Sequence, residues 1–511
     1  MTTLVFVRRF LTDYARNPVN LLLLAVIPTV FVVVAGGAIA DFATLLGGPD
    51  GPAVQVATAG WAAGFLAGVA MYFQTATTRE TDRRVIIAGL PASQVAAARL
   101  LTGGCLALLA GAAALIALAF RTGIDAPLRA VAGTLMFTVI YVAIGAVVGS
   151  LVHNPVNGTV IVLFVWIVDV FFGPAMGSTD RIATRVLPTH FVTTWMVDRP
   201  SGHAGRLQDL GWALAVTIAA VAVAWAVAAA RTRVAHRRAR QAHPGSPLDQ
   251  AGAALRAAWR DARRNPVLWV LFVVVPVVFV LGANAITPDS PITVLLREQG
   301  RRITQTDSLI DVHGATMAAI AVASLAALAG LFSVLDSQDG DRRAALAGLR
   351  PGALLSARLV VLTLAAVTAT GVALAATALV FDAARWPTFA AAILLIAITY
   401  GLIGALLAPI FGRVGGVFIA FLLPFLDLGI VQNPMLRPEP STWAKVLPGY
   451  GGSRVMLDGA LTQSFDELIP LLIGLGWLAV TGLAVVSAYR HATRPAGSAR
   501  LRPLAVGARA T

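Results

Sequence analysis

The sequence predicts an all-α polytopic membrane protein of about twelve transmembrane helices, built as two tandem parallel six-helix repeats, each with an N-terminal amphipathic elbow helix. Three observations predict it. Only 13% of the 511 residues are charged and 58% are hydrophobic, whereas soluble domains carry about a quarter charged residues. The apolar residues form unbroken blocks, such as 21–40, 213–230 and 471–488, close to the ~20 residues a helix needs to cross ~30 Å of hydrocarbon. Finally, the chain repeats itself over most of its length.

The repeat is read residue by residue. Asp13, Arg16-Asn17-Pro18-Val19, Pro28 and Phe31 return as Asp261, Arg264-Asn265-Pro266-Val267, Pro276 and Phe279, a shift of 248. Asp82-Arg83-Arg84, Ala98-Arg99-Leu100, Tyr141 and Gly145 return at a shift of 259 as Asp341-Arg342-Arg343, Ala357-Arg358-Leu359, Tyr400 and Gly404. Asp169 falls on Asp427, and Val186-Leu187-Pro188 on Val446-Leu447-Pro448. So steady an offset marks two homologous halves. Its one large step, from 248 to 259, places about 11 extra residues in the second copy near 288–314. The expected units are a first permease repeat over 1–232, an Arg-rich linker over 233–254, a second repeat over 255–490 and a basic tail over 491–511.

Six spans are expected in each half: 19–40, 56–76, 94–120, 128–151, 157–174 and 208–230, then 267–287, 314–335, 353–380, 387–410, 414–430 and 468–489. An even number brings both halves in from the same side, which gives parallel repeats. The net charge of +14 is almost all arginine, with Lys445 the sole lysine. The arginines cluster in the linker, the tail and the loops at 79–84 and 339–350 rather than on one basic-aromatic face. That pattern fits the orienting asymmetry of membrane proteins better than nucleic-acid binding, and it places both termini in the cytoplasm. An Ala- and Arg-rich, Lys-poor composition suits a bacterial inner membrane. Arg8-Arg9 ahead of an apolar run ending in Ala38-Ile39-Ala40 has the outline of a signal peptide. The run is too long for one, and its mid-chain copy cannot be one, so a first membrane helix is expected.

Cys105 is the lone cysteine, and the seven histidines show no ligand spacing, so no metal site is expected. The histidines are read as loop or interface residues. Before spans one and seven lie Arg8, Arg9, Arg16 and Pro18, and Arg260, Arg264 and Pro266. Each set reads either as plain juxtamembrane charge or as an interfacial helix with arginines toward headgroups and Phe10, Leu11, Tyr14 or Leu255, Trp259 toward lipid. The repeated Arg-Asn-Pro-Val favours the helix, with Asn-Pro ending it. After spans two and eight come Arg79, Glu80, Asp82, Arg83, Arg84 and Asp339, Asp341, Arg342, Arg343. Such dense mixed charge either solvates a turn or docks a soluble partner through oriented ion pairs, and the length of the segment favours docking.

In their order and repetition these features resemble the type-2 ABC export permeases, in the fused double-length form of the tetronasin and multidrug efflux group. The resemblance covers nearly the whole chain, although the glycine and threonine of the family's second signature are replaced or shuffled here. It implies that the loops at 79–91 and 338–351 are coupling helices that receive the stroke of an ATPase. It further implies that the segments at 175–207 and 431–466 form external hairpins that dip back and gate an exit.

No Gly-x-x-x-x-Gly-Lys-Ser/Thr loop occurs, and Lys445 sits in Ser-Thr-Trp-Ala-Lys-Val-Leu. The chain is therefore read as a non-enzymatic permease subunit without cofactors of its own, with ATP and Mg bound by separate ATPase subunits, two copies expected. The other expected partners are the lipid bilayer and a hydrophobic or amphipathic cargo, such as a drug, antibiotic or lipid-like molecule. Asp169 and Asp427, inside spans five and eleven, and Pro188 and Pro448 are candidates for the transport path or outer gate. An intramembrane acid serves either the path or the structure. Trp195 and Trp443 read equally as belt aromatics. The competing function is an ion-gradient-driven secondary transporter with the two acids as proton carriers. A lipid-directed membrane enzyme ranks last, because no nucleophile constellation is present.

Overall fold

The computed structural model describes residues 2–16, 18–49, 51–177, 182–197, 207–231, 266–337 and 351–493, with 252, 255, 256, 259, 340, 341 and 343. Nearly all of the expected linker and tail, and the candidate residues Arg260, Arg264, Asp339 and Arg342, lie outside them.

The first half opens with α1 (Thr2–Ala15). Pro18 starts α2 (Pro18–Val30), at a position where a missing N–H costs nothing. One π-helical turn, Phe31–Ala35, joins α2 to α3 (Gly36–Leu45). Next come α4 (Gly51–Thr77), the short polar α5 (Arg79–Ile87), α6 (Ala92–Thr122) and α7 (Pro127–Leu151). Asn154 then caps α8 (Pro155–Phe171), its side chain accepting from the amides of Val156 and Asn157. A turn at Ile182–Val186, the short α9 (His190–Met196) and α10 (Leu207–Arg231) complete the half.

The second half answers with α11 (Pro266–Ile286), α12 (Leu309–Leu335), α13 (Pro351–Thr377) and the long α14 (Trp386–Leu426). A turn at Thr442–Val446, α15 (Pro448–Leu461) and α16 (Leu468–Thr493) follow. Ten helical stretches are long and apolar enough to span a membrane, and α8 is a shorter apolar helix. The stretch Trp386–Val431 holds two of the expected spans, because α14 kinks at Gly412, whose φ of 62° suits glycine. With α8 counted and α14 divided, the twelve expected segments are all present.

One element was not expected in an all-α chain. The extra residues of the second half form an antiparallel hairpin, β1 (Pro291–Glu298) paired with β2 (Arg301–Ser308). Gln299 and Gly300 at its tip both have positive φ, which suits the twist of a two-residue turn.

Burial runs inside out. Large apolar side chains stay exposed on α6, α10, α13 and α16, for example Leu108, Ile218, Leu364 and Leu483. By contrast α4 and α12, thin with Ala and Gly, are buried along nearly their whole length. Each packs on the helix that follows two spans later, α4 on α7 and α12 on α14, and small residues set the spacing. A Cβ on Gly145 would meet the carbonyl of Gly68, and one on Gly404 the carbonyl of Ala327. The two crossings are equivalent under the repeat, and small residues let the backbones approach closely at both. Gly145→Val is therefore expected to destabilise by about 3 kcal/mol or more. Gly104→Val, at a position where an added Cβ would meet no atom within 4 Å, is expected to change little; thermal unfolding of the two variants in one detergent makes the comparison.

Candidate functional site: the path between the halves

On the face that carries α1 and α5, one of the acids on each charged loop turns inward. Asp82 takes a two-pronged bond from Arg99 of α6, with Nη2 2.7 Å from Oδ1 and Nε 3.2 Å from Oδ2. Asp341 takes the same fork from Arg358 of α13, both arms at 2.8 Å. The Asp82 and Asp341 side chains are only 13% and 5% exposed. This corrects the expectation that they present charge to a partner: each ties its loop to the next span. The signal was in the sequence, since the repeated Ala-Arg-Leu supplies the arginine 17 residues on. Arg79 also faces the protein, donating from Nε to the Gly149 carbonyl at the end of α7 (3.1 Å).

What α5 shows outward is Glu80, Arg84 and Ile87, one face at helical spacing. Arg83 is half-buried, and in the second half Arg343 is exposed. Elbow residues Arg8, Arg9, Arg16 and Pro18 are exposed. The apolar side of α1, however, faces α6 rather than lipid. Phe10, Leu11 and Tyr14 are half-buried, and the Arg99 guanidinium sits 3.6 Å above the Phe10 ring. Of the second elbow, Leu255 and Trp259 are exposed, with the Trp259 ring 6.1 Å from that of Trp269. Nothing is described of the Pro266 side chain.

Midway through, aromatic rings close the seam between the halves. Phe65 and Trp166 of the first half meet Phe418 and Phe421 of the second at 5.1–5.8 Å between centroids. Phe31 and Phe171 meet Phe425 at 6.4 and 5.4 Å. Trp166 spends its N–H on the Trp61 carbonyl, 2.9 Å away, so the plug leaves no polar group for water. Above it, toward the far face, lies an apolar cleft walled by both halves, with Ile39, Phe42 and Phe171 opposite Phe279, Met317 and Phe425. His313 also lines it. The histidine reading had put this residue in a loop or interface, yet it sits on α12, buried.

On the far face each intramembrane acid is a latch. Asp169 Oδ2 accepts from the Tyr141 hydroxyl (2.6 Å) and the Thr189 hydroxyl (2.7 Å), and Oδ1 accepts from the Thr189 amide (3.2 Å). Asp427 Oδ2 accepts from the Tyr400 hydroxyl (2.5 Å) and the Gly449 amide (2.7 Å), and Oδ1 from Gln432 (3.1 Å). Thr189 and Gly449 immediately follow Pro188 and Pro448, so each carboxylate fastens the start of α9 or α15 to the bundle. Of the two readings left open for these acids, the geometry supports the structural one. Trp195 is buried, whereas Trp443 is exposed and keeps the belt reading.

The hairpin lies on this face and is held at its tip. Asp466 accepts from the amides of Gln299 (2.8 Å) and Gly300 (3.0 Å), and Arg454, paired with Glu467, reaches the Leu295 carbonyl (3.0 Å). The Ser464 hydroxyl and these amides hold the Asp466 carboxyl below its ordinary value. The clamp is thus whole at neutral pH and is lost only as the pH falls through that lowered value.

The sequence model of the ABC-2 family transporter proteins matches residues 53–230, from α4 to α10. No curated protein matches the chain. Over that stretch the first half is similar to the membrane components of type-2 ABC transporters.

Two expectations follow from this geometry. Asp82→Ala and Arg99→Ala should each destabilise by about 3–5 kcal/mol, because each strands a buried charge. The double variant should cost less than their sum, which a thermodynamic cycle on the purified protein measures. In a cysteine-free background, Thr193→Cys on buried α9 should react slowly with a membrane-impermeant maleimide. Adding Asp169→Ala should speed labelling at least several-fold by freeing the start of that helix.

Proposed function

We propose that this chain is the transmembrane subunit of an exporter in the bacterial inner membrane, with both termini cytoplasmic. It moves a hydrophobic or amphipathic compound, such as a drug, antibiotic or lipid-like molecule, out of the cell. ATP and Mg are bound by separate ATPase subunits, two copies acting on the two loops. The observation that carries this reading is α5: a nine-residue polar helix held to the span behind it by a buried ion pair, with Glu80, Arg84 and Ile87 turned away from the rest of the chain. A helix fixed on one side and left open on the other suits a surface that receives a push and passes it on.

The family match to residues 53–230 supports an ATPase partner. The aromatic plug below an apolar cleft supports a hydrophobic cargo, since nearly every side chain on the cleft wall is apolar. A gradient-driven mechanism would need Asp169 and Asp427 as proton carriers, and both carboxylates are held by hydrogen bonds on both oxygens.

The test is co-purification. Tagged protein taken from its native membrane in mild detergent is expected to bring down a P-loop ATPase, identified by mass spectrometry. Glu80→Arg with Ile87→Asp should lower the recovered ATPase at least tenfold while the permease stays folded. Absence of an ATPase, under conditions that preserve known ABC complexes, would overturn the reading.

A further inference from the structure

The cleft above the plug holds a polar group that the repeat does not explain. Thr287 ends α11's path just past Ile286, and its hydroxyl lies 2.6 Å from the Ala283 carbonyl and 2.6 Å from Nδ1 of His313. A hydroxyl has a single hydrogen to give. A carbonyl can only accept, so that hydrogen goes to Ala283, and the contact with His313 is satisfied only if Nδ1 carries a proton and donates it to Thr287. In the neutral ring, Nε2 is then a bare acceptor. Among the described residues no group hydrogen-bonds it, and no carboxylate lines the cleft to favour a charged ring.

The surroundings fix the ring and leave that acceptor isolated. Phe42 packs edge-on against the imidazole, 5.2 Å between centroids. Asn433, the other polar side chain on the wall, is engaged with Gly429 and Met435 through its amide and carbonyl. At the offsets of the flanking blocks, His313 and Thr287 correspond to Val54 and Ile39 of the first half (313 − 259 and 287 − 248), both apolar and buried. Two polar residues thus stand together in one copy where the other has aliphatic ones. An acceptor that faces an apolar cleft without a partner is costly, and an ionisable side chain inside a membrane segment is a candidate for function.

We propose that the cleft takes an apolar, ring-bearing cargo that donates one hydrogen bond, from a phenolic or other hydroxyl or an N–H, to Nε2 of His313. The proposal rests on the transport reading and narrows its cargo. Aromatic walls supply stacking and edge contacts that tolerate many ring systems, while the single acceptor sets orientation and rejects molecules that carry only acceptors.

The test needs no ATPase and no transport. Binding of 4-butylphenol and of its methyl ether is measured on the purified chain in lipid nanodiscs, with empty discs subtracted. The two probes differ only in the hydrogen-bond donor. The wild-type protein is expected to bind the phenol about tenfold more tightly, the worth of one hydrogen bond. His313→Leu should abolish that preference and leave the ether's affinity within about twofold. Should His313→Leu fail to fold, Thr287→Val serves instead. It releases Nδ1, lets the proton move to Nε2, and should cut the preference at least threefold. Equal affinities in the wild type, no binding of either probe, or a preference that survives in a folded variant would each overturn the proposal. None of these results bears on ATPase co-purification, so the two readings fail separately.

Discussion

Hydrocarbon offers no hydrogen bonds, so every break in a spanning helix must be answered from within the chain. This constraint organises the molecule. The π-helical turn at Phe31–Ala35 shifts the backbone ladder, and Arg121 reaches across from α6 to the carbonyls of Val32 and Val33. Where the chain passes from α7 to α8, the Tyr72 hydroxyl bonds the Asn154 carbonyl (2.9 Å) and Arg79 bonds that of Gly149. Where α9 and α15 begin, a carboxylate takes the leading amide. The polar side chains that looked like candidates for chemistry are, for the most part, the partners of interrupted backbone.

The same constraint explains why so much of the fold was legible. Span positions follow from apolar length alone, and the structure places them within a few residues of expectation. The latch was legible in parts: Tyr141, Asp169 and Pro188 each recur in the second half, as Tyr400, Asp427 and Pro448, though only folding shows that they meet. Equally, Arg99 and Arg358 recur in register with Asp82 and Asp341. A run of mixed charge, however, reads the same whether its acids point outward or inward. Direction is decided by the next helix, which no local pattern contains.

Other features were hidden for different reasons. The hairpin left a trace in the shift from 248 to 259, and Gln299-Gly300 between the Ile-Thr-Val at 292–294 and the Ile-Thr at 303–304 is a turn signal, but a membrane-helix reading gives loops no structure. The inward face of α1 depends on Arg99 lying over Phe10, a contact between residues far apart in sequence. His313 was invisible because single histidines carry no spacing. Its place follows from comparison with Val54, once the halves are superposed in register.

Among the described residues the hairpin occurs in one half only, and where the Tyr489 hydroxyl reaches Asp341 from α16 (2.8 Å), Asp82 is met instead by the Thr78 hydroxyl of its own loop (3.3 Å). In a pore assembled from two identical short chains, any substitution appears on both sides of the axis, and a bulky change collides with its own copy. Duplication followed by fusion removes that doubling. One side can conserve the scaffold while the other drifts, so novelty enters a single wall at a time and the twofold frame survives it.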